Sequence, residues 1–199
     1  MDTPELSQQK ADLRKAMKPV RRAAFDENPN AESALKQQLD AFFEGYEAQN
    51  GGYKRLIIGG YAPIQSEFPL ISAMKSLENK GHQLCLPLVV GANTPLDFLN
   101  WQSGQPLIEG AFGTRAPDPE VADVVTPDVM LVPLLAFDDK AFRLGYGGGF
   151  YDRSIALYKP KLTIGIAFSS QRVNHVPIGS YDLALTCIMT EKGLAVSNL

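Results

Sequence analysis

Val129-Met130-Leu131-Val132-Pro133, followed ten residues on by Arg143-Leu144-Gly145-Tyr146-Gly147-Gly148-Gly149-Phe150-Tyr151-Asp152-Arg153, is the stretch from which the fold can be read. A short run that is apolar at both odd and even positions has no polar face to turn to water, so 129–133 reads as a strand buried on both sides. The glycines then lead into a helix that begins near Phe150 and continues from Tyr151 to Tyr158. Strand, glycine loop and helix in that order suit an anion: glycine permits positive φ and close approach, and the N–H groups at a helix start point at a ligand. Arg143 and Arg153 add fork-shaped donors matched to phosphate oxygens. On the glycines alone a bare flexible turn with no ligand is the other, lesser reading. No Gly-Lys-Ser/Thr follows to make a Walker loop, and the dinucleotide spacing lacks its acidic partner. Asp152 reads either as a carboxylate favoured by the first turn of the helix or as a Mg²⁺ contact beside a phosphate.

Upstream of this stretch, the spacing predicts an amphipathic helix over Glu5 to Phe25, interrupted or kinked at Pro19. Leu6, Leu13, Met17 and Val20 form its apolar side, and Lys10, Arg14, Lys18, Arg21 and Arg22 a basic stripe. A second helix is expected from Ala31 to Glu47, stopped by Gly51-Gly52. A strand is expected at Tyr53 to Tyr61, a helix at Glu67 to Asn79, a strand at Gln83 to Val90 and an edge strand at Leu96 to Trp101. Gln102 to Asp128, rich in Gly and Pro, reads as a long loop. Downstream, Leu162 to Phe168 and Ile188 to Thr190 complete the strands. Strands that alternate with helices imply a mostly parallel sheet covered on both faces, a three-layer α/β sandwich. Residues 1–199 are expected to form a single domain, with 1–50 as helical cover within it.

The 199 residues, 45% hydrophobic and 21% charged, are those of an ordinary globular protein large enough to do without disulfides or a structural metal. A net charge of −3 argues against a broad nucleic-acid surface. No apolar stretch approaches a membrane span and no signal-peptide order is present, so the expected location is the cytoplasm, with no membrane partner. Cys85 and Cys187 sit in apolar runs and read as buried thiols of a reducing compartment. His82 and His175 are too few and too isolated for a zinc site or a nucleophilic triad. Trp101 reads as either pocket wall or core.

Several separated pieces together resemble the 5-formyltetrahydrofolate cyclo-ligase (methenyltetrahydrofolate synthetase) family. They are Lys10-Ala11-Asp12-Leu13-Arg14-Lys15; Tyr61 through Glu67; Cys85-Leu86-Pro87; Phe112-Gly113; Val132-Pro133 with Ala136-Phe137-Asp138; Arg143 through Arg153; Asp182; and Thr190-Glu191. The resemblance implies a fold similar to the sugar-isomerase and coenzyme A-transferase-like group. It also implies conversion of 5-formyltetrahydrofolate to 5,10-methenyltetrahydrofolate with MgATP, by a monomer whose partners are a folate and ATP. In that chemistry the formyl oxygen attacks the γ-phosphate, N10 adds to the activated carbon, and phosphate leaves.

Carried onto this chain, the resemblance assigns Lys10 and Arg14, with Arg143, Leu144, Gly145, Tyr146, Gly147, Gly148, Gly149, Phe150 and Tyr151, to ATP. It assigns Leu56, Glu67 and residues 146–151 to the folate, Arg143, Arg153 and Tyr151 to catalysis, and Asp152 and Asp182 to magnesium; Leu56 reads equally as a core strand residue. Glu67 would accept hydrogen bonds from the pterin; otherwise it reads as a first-turn helix carboxylate. The chain departs from the family pattern at Pro69 and Leu70, where an acid and Thr are usual, and near Ala116. Those departures keep two alternatives in view: an ATP-dependent activator of another amide or carboxylate, and a nucleotide-binding relative without turnover.

Overall fold

The structure, a computed structural model, describes residues 2–52 and 54–198. Its elements are α1 (Pro4–Glu27), α2 (Ala31–Gln49), β1 (Ile57–Gly59), α3 (Ile71–Asn79), β2 (Gln83–Leu88), β3 (Asp97–Trp101), β4 (Ile108–Glu109), β5 (Arg115–Ala116), β6 (Val129–Pro133), β7 (Ala136–Phe137), β8 (Arg143–Leu144), α4 (Phe150–Tyr158), β9 (Leu162–Ile166), β10 (Cys187–Thr190) and β11 (Gly193–Ser197). The main sheet has seven strands in the order β11-β10-β9-β6-β1-β2-β3. β2, β1, β6, β9 and β10 run parallel, and β3 and β11 pair antiparallel at the two edges.

The expected strand 129–133 lies at the centre, and its alternation explains the three layers. Val129 and Leu131 join Leu35, Leu39, Phe43 and Leu77 of α2 and α3 on one face. Met130 and Val132 join Cys85, Phe98 and Ile188 on the other, against which Phe150, Ile155 and Tyr158 of α4 pack. Each such fully buried side chain contributes roughly 1.5–3 kcal/mol.

Several expectations are corrected. α1 is one continuous helix through Pro19, so the interruption offered as one outcome there does not occur, and Pro19 stands on its exposed side. The strand placed at Tyr53 to Tyr61 is short, Ile57–Gly59, and Tyr53 lies outside the described residues. α3 starts at Ile71, so Glu67 is not in its first turn. The N-cap Leu70 supplies no side-chain bond; the helix start is served from α2 instead, where Glu32 Oε1 accepts the Ser72 N–H at 2.8 Å. The long loop from Gln102 to Asp128 contains the β4–β5 hairpin, with Ala116 fully buried in it. Two further elements, the β7–β8 hairpin and β11, have no counterpart among the expected strands. Trp101 is core, 3% exposed.

Candidate active site

β1 is followed in sequence by its neighbour β2 on one side, and the next strand of the parallel set, β6, lies on the other side. Such a reversal leaves a crevice beyond the carboxyl ends of the two strands, where open α/β sheets hold ligands. The loop after β1 delivers Tyr61, Ser66 and Glu67 to it. The segment after β6 delivers the β7–β8 hairpin and the glycine loop. Asp138 holds that hairpin in place by accepting the N–H groups of Lys140, Phe142 and Val176 at 3.0–3.1 Å.

The glycine loop has the form expected of an anion cradle. Gly147 (φ 106°) and Gly149 (φ 66°) take left-handed backbone that a side chain would strain. Gly149 is the N-cap of α4. Among the described residues, no acceptor within the chain takes the N–H of Tyr146, Gly147, Gly148 or Gly149. The first-turn donors of α4 add to this set of free donors.

Around the cradle runs a closed ring of contacts. Arg14 Nε donates to the Gly145 carbonyl at 2.9 Å. Lys10 Nζ bridges Asp2 at 2.7 Å and Asp182 at 2.6 Å. Leu183 N–H donates to Asp152 Oδ1 at 3.2 Å. Arg143 pairs with Asp152 at 3.0 Å and donates to the Leu183 carbonyl at 3.0 Å. Burial lowers the Lys10 pKa, but the bonds to Asp182 and Asp2 outweigh it and hold the ammonium above its usual value. Burial draws Arg14 below its usual value, against the pull of Asp182 and Asp2.

The basic stripe of α1 thus divides in two. Positions 10, 14, 17 and 21, spaced 4, 3 and 4, share one face, and Lys10, Met17 and Arg21 are buried there. Lys18 and Arg22 are exposed.

Beside the cradle, Glu67 is 5% exposed and Oε2 accepts the Ile64 N–H at 3.0 Å. Burial pushes its carboxyl above the usual range, opposed by that N–H and by Arg21. Burial, reinforced by the charge of Glu67, also holds the Tyr151 phenol far above its usual value, so its hydroxyl is a donor at neutral pH. Tyr61 is held up in the same way. A cleft of about 570 Å³ opens against Glu67, bordered by Gln65, Pro69, Lys75 and Arg115.

Two assigned residues do not join the group. Leu56 is core at the amino end of β1, its N–H directed to His82 Nδ1 at 3.4 Å, away from the crevice. Arg153 is one position on from Asp152, about 100° around α4. It clamps the Thr94 carbonyl at 3.0 Å and the Gly148 carbonyl at 2.5 Å, with its guanidinium over the Phe150 ring. It fastens the loop from behind and stands apart from Arg143.

Asp152 and Asp182 lie on adjoining segments, joined through Leu183, and each has one oxygen without a bond among the described residues. They belong to no cluster of three or more potential metal ligands among the described residues. Two carboxylates beside a phosphate cradle fit magnesium, which takes few protein ligands and completes its shell with phosphate oxygens and water. They do not fit an ion caged wholly by protein.

Three residues of this neighbourhood, Arg21, Tyr61 and Ser66, were not singled out as site residues in the sequence. The signal for Arg21 was its place eleven residues after Lys10, on the same helical face.

The family model described as the 5-formyltetrahydrofolate cyclo-ligase family matches residues 6–191. A 5-formyltetrahydrofolate cyclo-ligase of Mycolicibacterium smegmatis is 31% identical over 189 residues, covering 83% of this chain and 96% of the relative. One of Haemophilus influenzae is 29% identical over 165 residues, covering 80% and 84%. Among solved structures, the 5,10-methenyltetrahydrofolate synthetase of Aquifex aeolicus superposes with a TM-score of 0.70 at 26% identity, covering 93% of this chain and 91% of that one. That of Mycoplasma pneumoniae superposes with a TM-score of 0.71 at 23% identity, covering 92% and 98%, and supports the fold.

Proposed function

Because the chain belongs to the 5-formyltetrahydrofolate cyclo-ligase family, we propose that it closes 5-formyltetrahydrofolate to 5,10-methenyltetrahydrofolate, converting ATP to ADP and phosphate. The observation that carries this is the ring joining Lys10 and Arg14 of α1, the open N–H groups of the glycine loop, and the Arg143–Asp152–Asp182 side of α4. It is a phosphate site made from three parts of the chain, with a buried carboxylate beside it.

The chemistry sets the demands. A formyl oxygen is a poor leaving group, so it attacks the γ-phosphorus and ADP departs. N10 then adds to the activated carbon and loses its proton. The C–O bond breaks, phosphate carries away the former formyl oxygen, and the cationic C=N of the product forms. Phosphoryl transfer of this kind is catalysed chiefly by position and by charge placed in advance.

Arg14 and Lys10 hold the phosphate chain from the α1 side. Backbone N–H groups of 146–149 receive its equatorial oxygens. Arg143, kept in place by Asp152 and the Leu183 carbonyl, faces the charge that develops on transfer. Tyr151 donates from its hydroxyl and offers its ring to the folate, and Glu67 accepts the pterin donors. Asp152 and Asp182 would hold Mg²⁺, which supplies neutralisation of the phosphate charge. Leu56 and Arg153 support the site from outside it: Leu56 as core, Arg153 as the clamp on Gly148. The protein acts as a monomer in the cytoplasm; its two buried, unpaired cysteines support a reducing compartment.

The test is to mix the protein with MgATP and 5-formyltetrahydrofolate and follow the near-ultraviolet absorbance of the methenyl product. Product formation that depends on both substrates is expected. Nucleotide binding without product would overturn the proposal and favour a relative that has lost turnover.

A further inference from the structure

Arg21 heads the large side chains that are fully buried, at 2% exposed, and the chemistry above gives it no task. Its Nε donates to Ser66 Oγ at 3.3 Å and Nη2 donates to the Tyr146 hydroxyl. Nη1 is buried without an acceptor among the described residues. A buried guanidinium with one of its donor groups left unpaired is costly, so its persistence needs a reason.

Its surroundings indicate what is missing. Glu67 feels the charge of Arg21, yet the two form no ion pair among the described residues. The carboxylate offers only acceptors and the guanidinium only donors. A ligand edge facing both must therefore donate from one atom and accept on its neighbour. A ring lactam, N–H beside C=O, has that order, and the 4-oxo pterin presents it: the 2-amino group and N3–H as donors, then O4 as acceptor. The ring of Tyr146 lies over the guanidinium, with its centroid 5.2 Å from Arg21 Cζ. Tyr146 is 42% exposed and sits on the loop between Gly145 and Gly147, so moving its ring uncovers that face of the guanidinium.

We propose that Arg21 is a specificity-determining residue: Nη1 binds the 4-oxo oxygen of the pterin while Glu67 takes the adjacent N–H donors, with Tyr146 giving way as the ring enters. This rests on the folate reading above. It adds a chemical selection that reading does not contain. A 4-amino pterin sets N–H donors against guanidinium donors, and a site built around a buried polar group rejects such an analogue far more strongly than it rejects a change of size.

The experiment is calorimetric titration of the full chain with 5-formyltetrahydrofolate and with its 4-amino-4-deoxy counterpart, for the parent, Arg21→Lys and Arg21→Met. The parent is expected to prefer the 4-oxo compound by about 10²-fold or more. Arg21→Met is expected to bring the ratio close to one, and Arg21→Lys to keep part of it. A parent ratio near one overturns the proposal without any variant. So does a variant that weakens both ligands equally and leaves the ratio intact, which is what a role confined to supporting Tyr146 would produce. If the parent binds neither compound, the folate reading itself fails.

Discussion

Arg143 and Glu67 show how far single residues control the site. In the proposed chemistry Arg143 faces the transferring phosphoryl group, whereas His175 is exposed and takes part in none of the site's contacts among the described residues. Arg143→Ala should lower kcat by about 10²-fold or more, with His175→Ala near the parent; equal losses in the absorbance assay would contradict the assignment. Glu67 is an acid whose folded pKa burial has raised. Such a group costs nothing while protonated, below its unfolded value, and it takes stability away as pH rises through the raised folded value. Glu67→Gln should therefore melt higher than the parent at pH 7.5, with the difference closing near pH 4. At pH 7.5 it should also bind folate about 10–10²-fold more weakly, the loss of hydrogen bonds to a charged group. A lower melting temperature at pH 7.5 would count against the burial argument. Lys10, Arg14, Glu67, Arg143 and Asp152 were legible as polar residues in motif positions. Arg21 was not, because a Lys/Arg run on a helix is ordinarily solvated, and only the packing of Ser66 and Tyr146 against it reveals which members of the run turn inward.

At the level of elements, the central strand and the loop-to-helix turn were legible because a continuous apolar run and a glycine cluster leave few alternatives. The β7–β8 hairpin was hidden for a physical reason: two-residue strands carry no periodicity, and this one is held by the side chain of Asp138 and not by a pattern of its own. β11, five residues long, escaped because Gly193-Leu194-Ala195-Val196-Ser197 opens on a glycine and carries no continuous apolar run. Pro19 raised the opposite question, since a proline can end a helix, yet α1 continues to Glu27. Packing of Met17, Arg21 and Ala24 on the inward face outweighs the missing hydrogen bond, whose carbonyl belongs to Lys15 on the exposed side. Pro19→Ala restores the donor and removes a penalty of up to about 3 kcal/mol. At about 2–4 °C per kcal/mol for a chain of this size, its melting temperature should rise by several degrees. A fall would show that the inward face depends on the geometry proline imposes.

For the whole molecule, the mostly parallel sheet and its three layers followed from alternation of strands and helices, while the strand order did not, because pairing across long loops leaves no local trace. That order puts Cys85 on β2 and Cys187 on β10, each second from its own edge, with β1, β6 and β9 between them. Both thiols are fully buried, and burial lifts both pKa values well above the usual range. In the folded state neither offers thiolate to a reagent, so alkylation has to wait for the fold to open. The chain therefore carries a clock in each wing of its sheet. If the seven strands form one cooperative unit, mass spectrometry of samples quenched during slow alkylation should find the two sites modified in step; a wing that frays alone would run fast.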